Sequence, residues 1–160
     1  MREVTAVVFF SVLSVLMSIA GSHPGDDGAG PRVALDEYLS FAKYPHPRPV
    51  DPGLFATDIV AFWSNNTEHY GRDAVAKATE VSMREVADHL KSFTLSATNV
   101  TVHRQGDLAW LTCRIHSKGI LKDGDAPYQR TIRSTFLFEK RAGRWQMVHE
   151  HSSHPPDKLP

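Results

Sequence analysis

The chain has 160 residues, 41% hydrophobic and 22% charged, which is the composition of one globular domain of ordinary size. Its 18 Lys and Arg balance 18 Asp and Glu, so the formal net charge is zero while the nine His are neutral. A nucleic-acid-binding protein normally carries a basic excess that neutralises phosphates, and this sequence has neither an excess nor a basic run. The charge therefore predicts no nucleic-acid partner and no anionic-membrane partner.

Residues 1–20 have the pattern of a secretory signal peptide. Residues 4–20 carry no charge, and Ser18-Ile19-Ala20 supplies the small residues of a cleavage site. A membrane-spanning helix needs about 20 apolar residues, so this segment is short for a span. We expect cleavage after Ala20, export to the periplasm or the medium, and no stable membrane span afterwards. An uncleaved N-terminal anchor is the alternative.

The next residues separate this segment from the folded domain. Residues 21–31 hold Gly and Pro but no large apolar side chain, which predicts a flexible leader. The domain is expected over residues 32–153, with a short tail over residues 154–160. Cys113 is the one cysteine, so an internal disulfide is excluded and the fold depends on its apolar core. We expect Cys113 to be a small buried side chain.

Two helical patterns flank a predicted strand. Apolar residues recur at helical spacing over residues 33–42, and a longer helix of about five turns is expected after Gly71. Residues 59–63 are rich in β-branched and aromatic side chains, which favours a buried strand. The buried face of the long helix is expected to comprise Val75, Ala78, Val81, Val86, Ala87, Leu90 and Phe93.

Four long β-rich runs follow, over residues 93–102, 108–120, 128–138 and 145–152. Each spacer between them is short and contains turn residues, so an antiparallel meander is expected. The complete pattern predicts the α+β class, with two or three helices packed on a strongly curved, mainly antiparallel sheet of five or six strands. A cone-shaped cavity is expected on the concave side of this sheet.

Short motifs carry a family resemblance. Residues 143–153 read Gly-Arg-Trp-Gln-Met-Val-His-Glu-His-Ser-Ser. This segment resembles the closing strand of the NTF2-like superfamily, in particular of its SnoaL-like branch and of the association domain of calcium/calmodulin-dependent protein kinase II. Residues 71–75, 106–110 and 133–138 are similar to further motifs of that superfamily and stand in the expected order. The resemblance covers about residues 32–153.

The resemblance implies a cone of the NTF2-like or cystatin-like type, with an internal pocket and often a homodimer. Members range from isomerases, cyclases and dehydratases to binding and assembly domains, so the fold alone does not decide the function. Matching positions place Trp145, His149 and His151 on the closing strand and Arg133 on its neighbour, where related domains line the pocket. No position matches the carboxylate base and its Tyr or acid partner in ketosteroid-isomerase-like members.

Two histidines on the last strand are candidates for chemistry. Strand alternation predicts one face of this strand that comprises Trp145, Met147, His149 and His151. Either imidazole is a candidate general acid or base. Asp58, at the start of the first strand, is the candidate carboxylate. His69 or His116 would be needed to complete a metal site around the pair. Because the motif itself contains no third ligand, we expect pocket or interface histidines, with no metal and no cofactor.

Arg133 is the candidate anion-binding residue. It shares its predicted strand face with Thr135 and Leu137, so its guanidinium is expected to be at least half-buried. A half-buried guanidinium requires an anion. That anion is either a protein carboxylate, Glu150 or Glu139, or the carboxylate of a bound ligand.

Three functions agree with these patterns. We prefer an exported domain that binds a small organic molecule, carboxylated or apolar, in its cone. The others are an isomerase, lyase or hydrolase that uses His or Asp as general base, and a homo-oligomerisation module with a vestigial pocket. The candidate ligand-binding residues are Trp63, His69, Tyr70, Trp110, His116, Arg133, Trp145, His149 and His151.

Overall fold

The computed structural model describes residues 29–46 and 48–155. The expected signal peptide, most of the expected leader and the last five residues of the expected tail lie outside these ranges. Among the described residues, no helix is long and apolar enough to cross a membrane.

The described residues form two α-helices, a short 3-10 helix and six β-strands. Helix α1 begins three residues before the expected domain start, and Pro31 in its first turn is fully buried. Proline is tolerated there because the first N–H groups of a helix have no partner within the helix. In chain order the elements are α1 (Ala29–Ser40), the 3-10 helix (Pro52–Leu54), β1 (Phe55–Phe62), β2 (Glu68–Tyr70), α2 (Arg72–His89), β3 (Leu90–Gln105), β4 (Leu108–Leu121), β5 (Pro127–Arg141) and β6 (Arg144–Ser153).

The six strands form one sheet in the order β2-β1-β6-β5-β4-β3. Strands β3 to β6 pair antiparallel in sequence order, which confirms the predicted meander, while β1 pairs with β6 in parallel. Ala142 and Gly143 have φ angles of 50° and 80° and form the two-residue turn between β5 and β6. Two positive φ angles are what a tight hairpin turn requires. The predicted α+β class is therefore confirmed.

Helix α2 packs on the sheet through a stripe that differs from the predicted one. Val75 and Thr79 are buried, and Met83 and Val86 pack partly buried farther along the helix. These positions are four or three residues apart and therefore share one side of a helix. Val81 was expected in this stripe but is 40% exposed, because six residues beyond Val75 is about 240° around the helix.

The two faces of the sheet have different environments. The face that packs against α1 and α2, here called the inner face, carries the fully buried Leu111 and Phe136. The opposite outer face carries exposed side chains such as Trp110 and Arg133. On β4 the predicted burial of Cys113 is confirmed, since its side chain is buried on the inner face.

A β-bulge at Val148 changes which side chains of β6 face inward. Leu137 of β5 pairs with His149, whereas the next residue, Phe138, pairs with Met147, so Val148 is an extra residue in β6. An extra residue interrupts the alternation of side chains and shifts every later position to the opposite face.

The predicted faces of β6 are therefore wrong beyond the bulge. Before it, Met147 is buried on the inner face, as alternation from Trp145 requires. After it, Glu150 is buried on the inner face, whereas His149 is half-buried and His151 exposed on the outer face. The bulge thus exchanges two histidines for one carboxyl in the interior.

Candidate functional site

A cavity of about 230 Å³ lies between the inner face and the two helices. Its exposed lining residues, Asn65 and Arg130, mark the open end. Arg130 contacts the imidazole of His154 there. The apolar part of the wall comes from α1 and the turn after it, from α2 and from three strands, and comprises Leu39, Phe41, Ala42, Met83, Val86, Phe93, Leu95, Ile115, Ile132 and Phe136.

Glu150 places a carboxyl group in this apolar wall. Its side chain is only 6% exposed. Glu150 Oε2 accepts a hydrogen bond of 2.9 Å from the Tyr38 hydroxyl and one of 3.1 Å from Trp63 Nε1. Tyr38 belongs to α1, and Trp63 directly follows β1. The carboxyl therefore joins three separate parts of the chain at the cavity.

Burial controls the protonation of this group. It raises the pKa of Glu150 to about 7, although the hydrogen bonds from Tyr38 and Trp63 act in the opposite direction. Burial and the neighbouring Glu150 also raise the pKa of the Tyr38 hydroxyl well above its usual value. Near neutral pH the site therefore holds a carboxyl that can both accept and release a proton, beside a phenol that stays protonated.

Three buried hydroxyl side chains also line the cavity. The hydroxyl of Thr79 donates to the backbone oxygen of Val75 at 2.8 Å, within α2. Ser134 of β5 and Ser152 of β6 are both buried and stand opposite each other on the inner face. Within residues 29–46 and 48–155, the hydroxyl of Ser134 has no hydrogen-bond partner.

The structure places Trp63 at the cavity, as the sequence predicts, but the other predicted tryptophans lie elsewhere. Trp145 is buried in the core, with the guanidinium of Arg104 at 5.1 Å from its ring centre. Trp110 is 39% exposed on the outer face and stacks on His103, with 5.0 Å between the ring centres.

Arg133 was predicted to be half-buried and to face an anion, and this prediction is wrong. Its side chain is exposed on the outer face and donates to the Ser153 hydroxyl at 3.4 Å and to the His154 backbone oxygen at 3.0 Å. Side chains alternate along β5, and Ser134 and Phe136 are the residues that face inward, so Arg133 faces outward. Neither a protein carboxylate nor the cavity lies against the Arg133 guanidinium in the described contacts.

The predicted histidines also lie outside the cavity. His149 packs on the ring of Phe62, with 5.6 Å between the ring centres, and burial lowers the pKa of His149. His116 Nε2 is 2.7 Å from the Thr98 hydroxyl, and His116 Nδ1 is 2.9 Å from the Thr131 hydroxyl. These imidazoles are therefore engaged on the outer face.

The remaining candidates are near the surface. The ring centres of His69 and Trp63 are 4.6 Å apart, and Tyr70 is 61% exposed. Neither His69 nor Tyr70 lines the cavity. Asp58 pairs with Arg141 at 2.6 Å, and that hydrogen bond lowers the pKa of the Asp58 carboxyl. A carboxylate held in this way is a weak base. Among the described residues, no group of three or more His, Cys, Asp or Glu side chains is arranged to hold a metal ion.

Comparison with known families agrees with this architecture. The family model described as SnoaL-like domain matches residues 52–157, which is more than half of the chain. The chain belongs to the SnoaL-like domain family. Among curated proteins, none matches this chain. The predicted resemblance to the NTF2-like superfamily and its SnoaL-like branch is therefore confirmed.

Solved structures share the SnoaL-like fold at low sequence identity. An NTF2-like protein of unknown function from Pseudomonas putida KT2440 is 24% identical, with 80% of this chain and 86% of that chain covered and a TM-score of 0.62. An NTF2-like superfamily protein from Salmonella enterica serovar Typhimurium is 18% identical, with 79% and 89% covered and a TM-score of 0.61. A hexachlorocyclohexane dehydrochlorinase is 12% identical, with 82% and 94% covered and a TM-score of 0.64.

Sequence reasoning missed the three polar residues that matter most at this site. Tyr38 stands on the apolar face predicted for α1, but the pattern does not show that its hydroxyl meets Glu150, 112 residues later. The inward position of Glu150 follows from the bulge in β6 and is visible only in the paired register. The one available signal was the run of apolar residues Phe136 and Phe138, which shares its face with Ser134 and indicates the inward side of β5.

Replacing Glu150 with Gln is expected to change how stability depends on pH. The native carboxyl has a raised pKa, so between about pH 4.5 and pH 7 the folded chain binds more protons than the unfolded chain. The free energy of unfolding of the wild type therefore falls as the pH rises through this window, by on the order of 3 kcal/mol relative to Glu150→Gln. Urea denaturation between pH 4 and pH 8 measures this difference.

Two features allow the difference between the wild-type and Glu150→Gln profiles to be assigned to Glu150. The lowered pKa of His149 gives the opposite slope below its usual value, but it is present in both proteins and cancels. Glu85→Gln, at an exposed position of α2, is the matched control and should reproduce the wild-type profile. Parallel profiles for Glu150→Gln and the wild type would show that Glu150 titrates normally.

Proposed function

We propose that the protein binds an uncharged, mainly apolar small molecule in its cone, with Glu150 as the polar anchor. The observation that supports this proposal is a buried carboxyl on the wall of a mainly apolar cavity of about 230 Å³. Few convergent polar groups in an apolar cavity are typical of small-molecule sites. A cavity of about 150 Å³ accommodates benzene, so this volume is suited to a compound of about two fused rings.

The interior also favours an uncharged ligand over a carboxylated one. A carboxylated ligand was expected because of Arg133, and this guanidinium lies on the outer face. In the interior a ligand carboxylate would approach Glu150, and two like charges in a weakly polar site repel each other strongly.

A second candidate function is proton transfer, as in a lyase or isomerase, with Glu150 in place of the expected His or Asp base. The observation in its favour is the pKa of about 7, because a general acid or base is most effective near the working pH. One structural neighbour is a hexachlorocyclohexane dehydrochlorinase, which shares the fold with a TM-score of 0.64 at 12% sequence identity. The Tyr38 hydroxyl donates a hydrogen bond of 2.9 Å to Glu150, the carboxylate that would take up the proton and lose its charge.

Filling the cavity from α2 is expected to abolish ligand binding. Met83 lines the cavity, and Met83→Trp places an indole in the volume that a ligand would occupy. For compounds that raise the melting temperature in a screen of uncharged mono- and bicyclic molecules, the Kd should rise about tenfold or more. Val81→Trp, on the exposed side of the same helix, is the matched control and should change the Kd less than about twofold.

The same mixtures distinguish the two functions. In D2O, uptake of deuterium at a carbon atom of the bound compound, present with the wild type and absent with Glu150→Gln, would assign proton transfer. Binding of a compound without uptake of deuterium would assign binding alone as the function. If no compound in the screen binds, or if both tryptophan variants bind equally well, the cavity is not the ligand site.

We further propose that two copies associate through the outer face. Large apolar side chains are exposed there, namely Phe62, Tyr70, Leu108 and Trp110. Introducing a charge by Trp110→Glu should convert a dimer to a monomer in light scattering, because a buried unpaired charge costs several kcal/mol. Thr94→Glu, also exposed but opposite Lys118, eight residues along β4 from Trp110, is the control and should remain dimeric. A monomeric wild type at about 100 μM would overturn this proposal.

We also propose that the protein is exported after cleavage behind Ala20. The uncharged run over residues 4–20 and the small residues that end it support this proposal. N-terminal sequencing of the protein from the cells that make it should give Gly21 as the first residue. Recovery of chains that begin at Met1 in the membrane fraction would favour the retained anchor instead.

A further inference from the structure

One buried hydroxyl on the cavity wall lacks a partner. The side chain of Ser134 is 4% exposed, and its oxygen makes no hydrogen bond to any described residue. A buried hydroxyl without a partner costs about 1–3 kcal/mol. A valine or alanine at this strand position would avoid that cost, so an oxygen atom here needs an explanation.

The register of the sheet places Ser134 beside the other polar groups of the cavity. Ser134 pairs with Ser152, and Phe136, the next inward residue of β5, pairs with Glu150. The side chains of Ser134, Ser152 and Glu150, here called the polar strip, therefore lie together on the part of the inner face formed by β5 and β6. The side chains that α2 contributes opposite this polar strip include Met83 and Val86.

We propose that the bound molecule carries a hydroxyl group, which donates its hydrogen bond to Glu150 and accepts one from Ser134. This inference rests on the proposed binding function and names the ligand chemistry. A hydroxyl is the neutral group that has one donor and two acceptor sites on a single atom. The ionised form of Glu150 accepts, and the Ser134 hydroxyl, which turns about a single bond, donates.

Other polar groups match the strip less well. An ether oxygen accepts from Ser134 but gives no hydrogen to Glu150. A ligand carboxylate also lacks a hydrogen to donate and adds a second negative charge beside Glu150. Most of the remaining ligand surface is apolar, because α2 contributes Met83 and Val86 here, while the hydroxyl of Thr79 already donates to a backbone oxygen of its own helix.

Matched two-ring probes test this proposal. Binding of 2-naphthol, 2-methoxynaphthalene, naphthalene and 2-naphthoate to the full protein is measured by titration calorimetry. We expect 2-naphthol to bind about tenfold more tightly than its methyl ether, and 2-naphthoate to bind more weakly than 2-naphthol. Ser134→Ala should weaken 2-naphthol about five- to tenfold and leave the methyl ether unchanged within about twofold.

Two further variants keep the result independent of folding. Ser96→Ala removes an exposed hydroxyl of β3 that does not line the cavity, and this variant should bind all probes as the wild type does. Ser134→Ala should melt at the same or a higher temperature, since it loses an unpaired hydroxyl. Glu150→Gln should also reduce the preference for 2-naphthol over its ether.

The outcomes separate this inference from the proposed function. If 2-naphthol and its ether bind equally and Ser134→Ala weakens neither, the hydroxyl proposal is overturned while binding in the cone stands. If 2-naphthoate binds most tightly, the ligand is anionic and the proposal is overturned in the same way. If no probe binds the wild type, both the hydroxyl proposal and the proposed function fail for two-ring molecules.

Discussion

The carboxyl of Glu150 can lie inside the cone because two donors from other parts of the chain reach it. Transfer of an unpaired carboxylate to an apolar interior costs more than a domain of this size can spare. Tyr38 from α1 and Trp63 at the end of β1 both donate to the same oxygen, Glu150 Oε2. The interaction therefore fixes the position of the first helix relative to the centre of the sheet, and it places a carboxyl group in the wall of a mainly apolar cavity.

That arrangement depends in turn on one extra residue in β6. Without the bulge at Val148, alternation from Met147 would turn His149 inward and Glu150 outward. The cavity would then hold an imidazole, and Tyr38 and Trp63 would lose their common acceptor. The bulge thus separates two surfaces of one strand, with a buried carboxyl on the inner side and His149 beside Phe62 on the outer side.

Local sequence patterns predict the helices and strands well, but they do not predict which residues of β6 face the cavity. Gly143, with a φ angle of 80°, marks a turn that the sequence indicates directly, because glycine adopts positive φ angles without a steric cost. The bulge at Val148 has no comparable signature, since it is set by how β6 pairs with β5 and β1. Trp63 could be predicted at the cavity, whereas its partner Glu150 depends on that register and could not.

The site also changes the meaning of the neutral net charge. A formal charge of zero counts Glu150 as fully ionised, but a pKa of about 7 leaves this carboxyl about half protonated in the folded chain at neutral pH. As the pH falls, Glu150 therefore loses its charge before His149, whose pKa is lowered by burial, gains one. The interior becomes less polar while His149 is still neutral. Acidification thus acts first on the buried carboxyl and only afterwards on His149, although both groups belong to the same short segment of β6.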